Sequence, residues 1–203
     1  MIISFDLFLN EENNVDDQLY HGTLHKFLKF ETKNIGTGEG NQSFGYGLYF
    51  TSIKPIAEFY AKKLSDDIGG YLYVVNVIKK NFIDWYNPID DDIKNMIIDK
   101  LNTMGIYELP IKRLLIDNNI ETIYKDIETA VNFYQNGKFL YENLSIIFNS
   151  EKIASNFLLS VGIDGIKYTE STLSKKFKNN FNGYNYVIFN EDNITIEDII
   201  EIL

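Results

Sequence analysis

The period of the apolar positions changes twice along this chain. Up to about Phe82 apolar residues come in short runs broken by glycine and polar residues, which predicts strands and turns. Leu19-Tyr20-His21 reads as a short strand, and Gly36-Thr37-Gly38-Glu39-Gly40 as a loop tolerant of positive φ. Gly47-Leu48-Tyr49-Phe50 resumes as strand, and Tyr71-Leu72-Tyr73-Val74-Val75-Asn76-Val77 forms an aromatic and β-branched third. One helix is predicted between them from Ser52 through Leu64, with Ser52 as N-cap and Pro55 in the first turn. Ala57, Tyr60, Ala61 and Leu64 share one face of it.

From about Pro88 to Val161 the spacing is helical: Ile93, Ile97, Ile98 and Leu101, then Ile123, Ile127, Ala130, Val131 and Tyr134. This predicts several helices inserted between strands, closed by Gly162. Ile163-Asp164-Gly165-Ile166-Lys167-Tyr168 and Tyr184-Asn185-Tyr186-Val187-Ile188-Phe189 then read as strands flanking a polar loop, and Ile194-Thr195-Ile196 as a last edge. Strands gathered around a helical insert define an α+β class with mostly antiparallel sheet.

At 203 residues the chain buries a full core as one domain, 1–203, with the helical insertion at about 88–161. Zero cysteines remove disulfides, thiolate zinc sites and cysteine nucleophiles, and two histidines leave no His-rich cluster, so no metal is expected. The start, Met1 to Leu7, has neither a basic stretch nor a long apolar run, and no later segment approaches the ~20 apolar residues of a membrane helix. A cytoplasmic protein without membrane partners is expected. A net charge of −10 argues against general nucleic-acid binding, which draws its affinity from Lys and Arg.

Against that background three short motifs carry candidate chemistry: Tyr20-His21-Gly22-Thr23, Gly45-Tyr46-Gly47-Leu48-Tyr49-Phe50-Thr51-Ser52, and Ala57-Glu58-Phe59-Tyr60-Ala61. Taken singly each has an ordinary structural reading: a turn entering a strand, an aromatic core stripe, a structural histidine. His25 has no motif around it and reads as surface.

In order and spacing the set resembles the diphtheria-toxin and poly(ADP-ribose)-polymerase branch of the ADP-ribosyltransferases. There a strand carries His-Gly, a later strand Gly-x-Gly-[Ile/Leu]-Tyr-Phe, and a helix a second tyrosine, as in His21-Gly22, Gly45 to Phe50, and Tyr60, eleven positions after Tyr49. Nearly the whole chain is similar to ADP-ribosyltransferase domains of phage and mobile-element polyvalent proteins and of bacterial toxin–antitoxin (anti-phage) toxins. That likeness includes the run Gly36 to Gly45, Phe82-Ile83-Asp84-Trp85, Ala154-Ser155, Gly162 to Tyr168 and Asn185 to Phe189.

The resemblance implies a split, mostly antiparallel sheet, NAD as co-substrate, and transfer of ADP-ribose to a macromolecule. His21, Tyr49, Tyr60 and Asn185 are then the catalytic set, and His21, Gly22, Thr23, Tyr49, Thr51, Ser52 and Tyr60 hold the dinucleotide. Two tyrosine faces attract a pyridinium by roughly 0.5–2 kcal/mol each, an attraction that fades once the ring is released neutral. Gly22 would let the backbone approach the nicotinamide amide. The chain departs from the pattern at Asn185, where the family places a glutamate, and at Ala57, where polymerase relatives place a serine. An amide still hydrogen-bonds a ribose hydroxyl but neither takes a proton nor opposes a full positive charge. Glu39 and Glu170 are the candidate replacement carboxylates, with solvated surface glutamate as the other reading of each.

The loop from about Thr169 to Gly183 holds Lys175, Lys176, Phe177 and Lys178, cations beside a ring within an acidic chain. It reads either as a substrate-binding segment for single-stranded RNA or DNA, through phosphate pairing and base stacking, or as a solvated loop with one buried phenylalanine. The reading favours a nucleic-acid base as acceptor over a protein side chain, with an antitoxin or chaperone as a further partner. The alternatives from other classes are an inactive NAD- or ADP-ribose-binding module and an interaction protein whose ring slot is core packing.

Overall fold

A computed structural model describes residues 18–36, 42–63, 69–78, 81–114, 120–169 and 183–202. The strands are β1 (Leu19–Thr23), β2 (Leu48–Thr51), β3 (Gly70–Val77), β4 (Phe82–Asp84), β5 (Glu108–Leu114), β6 (Ile120–Asp126), β7 (Gly165–Thr169), β8 (Tyr184–Ile188) and β9 (Ile194–Ile202). The helices are α1 (Lys54–Lys63), α2 (Asp91–Thr103), α3 (Ile127–Phe133), α4 (Gly137–Ile147) and α5 (Glu151–Ser160).

Seven strands form one sheet in the order β4-β7-β8-β2-β1-β3-β9, antiparallel except for the β4–β7 pair, and β5–β6 form a separate hairpin. The protein is therefore α+β, as the segregated periods predict. Alternation along the strands sorts the side chains onto two faces. One face carries Leu19, Phe50, Tyr73, Val75, Tyr186 and Ile188, covered by Phe27 and Phe30. The other carries Ile166, Tyr168 and Val187 under α2 to α5 at one end, and Gly22 under α1 at the other.

Two sequence expectations are corrected, and one strand is added. Ile123 belongs to β6, so a hairpin replaces helix before α3; its spacing to Ile127 straddles the strand–helix boundary at the Asp126 N-cap. Ser52 does not cap α1: its hydroxyl oxygen accepts the Tyr184 N–H at 3.1 Å. Phe82 opens β4, which adds a parallel edge to the sheet. Pro55 does lie in the first turn of α1, and Gly162, at φ +83°, ends α5.

Candidate functional site

Beta-strand pairing sets the site. β1 pairs with β3 over its whole length, but with β2 only at Tyr20↔Thr51. Beyond that rung His21, Gly22 and Thr23 make no ladder with β2, which pairs instead with β8 over four residues. The sheet thus opens a seam between its two halves.

His21 bridges the seam. Its Nδ1–H donates to the Tyr49 carbonyl at 2.8 Å. A carbonyl only accepts, so the bond fixes the tautomer and leaves Nε2 as an acceptor lone pair. The ring is held edge-on to Phe30 at 5.3 Å and tilted to Phe50 at 5.7 Å. Burial among these rings lowers its pKa, outweighing the Tyr49 bond that raises it. A neutral imidazole with an acceptor nitrogen results.

On the opposite face of the sheet, the register places Asn185 across from Thr51 on one side and Tyr168 on the other. Tyr49 lies two residues along from Thr51 and shares its face. The Tyr49 hydroxyl donates to the Gly45 carbonyl at 2.8 Å and accepts the Phe44 N–H at 3.2 Å, so the turn before β2 holds the phenol. Burial raises the pKa of Tyr49, and that of Tyr60, half-buried on α1 against Ile53 and Ile56. Tyr168 is pushed up by burial and then by its phenolic neighbours Tyr49, Tyr60 and Tyr86. Tyr168, directly across from Asn185, and Tyr49, diagonal to it, therefore stand beside the amide as protonated phenols.

Asn185 is 2% exposed, and its Nδ2 has no acceptor among the described residues. A buried amide donor left without a partner costs on the order of 1–3 kcal/mol. Phe44 stacks on Tyr168 at 3.8 Å and forms one wall beside it.

The remaining expected residues divide by what already occupies them. Gly22 has a structural reason to be glycine: a Cβ there would overlap the Ala57 carbonyl oxygen and crowd the Ala61 nitrogen of α1. Ala57 itself is buried in that contact. The Thr51 hydroxyl oxygen accepts the Ile53 N–H at 3.1 Å, and the Thr23 hydroxyl oxygen accepts the His25 N–H at 3.3 Å. His25 is exposed, as expected. Lys175, Lys176, Phe177 and Lys178, like Glu39 and Glu170, lie outside the described residues. The structure thus brings Tyr49, Tyr60, Thr51 and Asn185 to one face of the sheet and sets the His21 ring on the other. Sequence reading missed Tyr168 and Phe44 as site residues. Only the alternation of two paired strands, which puts Tyr168 across from Asn185, signals the first.

No family model, no curated protein and no solved structure matches this chain.

Proposed function

We propose that this protein is an NAD-dependent mono-ADP-ribosyltransferase of the split-sheet type. The observation that carries the reading is the seam bridged by His21, with, on the opposite face, an amide at Asn185 that has no acceptor among the described residues and stands beside phenols.

The residues present fit the nicotinamide–ribose half of the dinucleotide. In this reading the rings of Tyr49 and Tyr60 take the pyridinium, and a low-dielectric wall strengthens that attraction. The His21 Nε2 is an acceptor suited to a ribose hydroxyl, and the unpaired edge of β1 at Gly22 offers backbone groups to a carboxamide. The Asn185 Nδ2 donates to a ribose oxygen and so recovers its missing partner. NAD, when bound, supplies the ADP-ribosyl group with nicotinamide as leaving group. Asn185 orients but holds no proton, so either Glu39 or Glu170 serves as the base or the acceptor brings a nucleophile reactive without strong base catalysis, with positioning carrying much of the rate.

A base of single-stranded RNA or DNA is the favoured acceptor, with Lys175, Lys176, Phe177 and Lys178 as the segment that receives it. A protein acceptor is the next choice. In this reading the chain acts as a conflict toxin whose neutralising partner is a separate protein. One observation favours a second reading, binding of NAD or ADP-ribose without transfer: an amide stands where the transferase pattern has a carboxylate.

The test is incubation with labelled NAD and cell extract, followed by separate RNase, DNase and protease digestion. Label should appear, be released by one nuclease, and vanish in Tyr60→Ala. Asn185→Leu should also lose labelling while melting no lower than the parent, because it removes an unsatisfied amide at nearly constant shape. Calorimetric NAD binding without any label would establish the second reading, and absence of both would refute the two together.

A further inference from the structure

One rung runs across four strands of the sheet: Tyr20 of β1, Thr51 of β2, Asn185 of β8 and Tyr168 of β7. Residues directly opposite one another share a face, so all four side chains project to the same side. Neighbouring strands lie about 4.8 Å apart, which puts Tyr168 about 14 Å from β1, at the far end of the rung from the open edge at Gly22.

Tyr168 is 3% exposed, and its ring is fixed. Phe44 lies flat against it, with centroids 3.8 Å apart and planes 6° from parallel. The Phe44 N–H in turn donates to the Tyr49 hydroxyl at 3.2 Å, so one turn holds both the stack and that phenol. What the Tyr168 ring contributes to packing, phenylalanine would contribute equally. The hydroxyl is the part that packing does not explain.

Other buried phenols spend theirs on backbone. Tyr73 donates to the Phe27 carbonyl and Tyr134 to the Pro110 carbonyl, each at 3.0 Å. Tyr49, beside Tyr168, is committed to the Gly45 carbonyl. The Tyr168 hydroxyl has no hydrogen-bond partner among the described residues, and unlike the Asn185 Nδ2 it is not sealed from solvent. Its phenolic neighbours are Tyr49, Tyr60 and Tyr86, and burial together with these neighbours keeps it protonated at neutral pH. A buried, rigid and uncommitted hydroxyl beside the two rings assigned to the pyridinium is placed to meet a ligand atom.

We propose, resting on the NAD reading of the seam, that Tyr168 contacts the bound ligand directly, its hydroxyl hydrogen-bonding a hydroxyl of the ribose that carries the nicotinamide. With the carboxamide at the free edge of β1 and the sugar over Asn185 of β8, the next strand outward is β7, and Tyr168 meets the far side of the sugar. The contact is made to the sugar alone, so it serves NAD and ADP-ribose alike.

Calorimetric titration of the full chain with NAD and, separately, with ADP-ribose tests this in Tyr168→Phe, which keeps ring and stack and removes one oxygen. Both ligands should bind about five- to tenfold more weakly, while the melting temperature stays at the parent's. Tyr134→Phe, which loses the bond to the Pro110 carbonyl, should do the reverse: melt lower and bind both ligands as the parent does. Parental affinity in Tyr168→Phe, where the parent binds both ligands, would overturn the proposal and leave the NAD reading standing. So would a loss confined to NAD, which would assign the hydroxyl to the nicotinamide. Equal weakening in Tyr168→Phe and Tyr134→Phe would make the effect structural and overturn it too. A parent chain that binds neither ligand removes the NAD reading and the Tyr168 contact together.

Discussion

At the scale of single residues, His21 has the most to say about pH. Its folded-state pKa is held below the ordinary ~6.5 by burial, so the unfolded chain binds the proton more readily than the folded one. The stability it contributes is full above the unfolded value and is lost as pH falls from there through the lowered folded value. Thermal melting should therefore drop between pH 7.5 and pH 5.5, and His21→Phe should flatten that part of the profile. A variant with an unchanged slope would show that other groups govern it. Tyr49, Tyr60 and Tyr168 add nothing in this window, since burial moves all three upward, away from neutrality.

At the scale of elements, the seat of α1 on β1 is the tightest joint. A side chain at Gly22 meets helix backbone rather than a movable side chain, so relief requires α1 to shift as a body. Gly22→Ala should cost about 2–4 kcal/mol, read as a lower denaturation midpoint. A near-neutral result would mean that α1 floats on the sheet. This joint also shows what the residue string conveys. Strands of alternating or β-branched residues, such as Tyr71 to Val77, are recoverable because period 2 survives in short windows. The β5–β6 hairpin was hidden because Ile123 and Ile127 mimic one helical face across the join of two elements. His21, Tyr49 and Asn185 stand out through their motifs, but the single rung joining β1 to β2 does not: register depends on partners far away in sequence.

At the scale of the whole molecule, a charge of −10 sets self-repulsion against a few exposed ion pairs, among them Lys29–Asp192, Lys33–Glu31 and Lys54–Glu58. Exposed pairs contribute about 0–1 kcal/mol each and are themselves weakened by salt, while repulsion among excess carboxylates extends over the surface. Screening should favour the folded state on balance, so the melting temperature should rise between ~10 mM and ~200 mM NaCl, where the Debye length falls below about 10 Å. A fall would assign the greater weight to the paired charges.

Tyr141 gives the insert its most constrained point. Its hydroxyl accepts the Tyr46 N–H at 2.8 Å and lies 2.8 Å from the Ser155 Oγ, which in turn donates to the Tyr46 carbonyl at 2.8 Å. The loop closes on both polar ends of one residue, 95 and 109 positions distant from its two partners. Neither partner can drift alone: phenylalanine at one position or alanine at the other strands a main-chain group, and changing both strands two. Descendants of this chain would be expected to keep that tyrosine and serine as an inherited pair, long after the surrounding apolar residues had been exchanged for others of similar bulk.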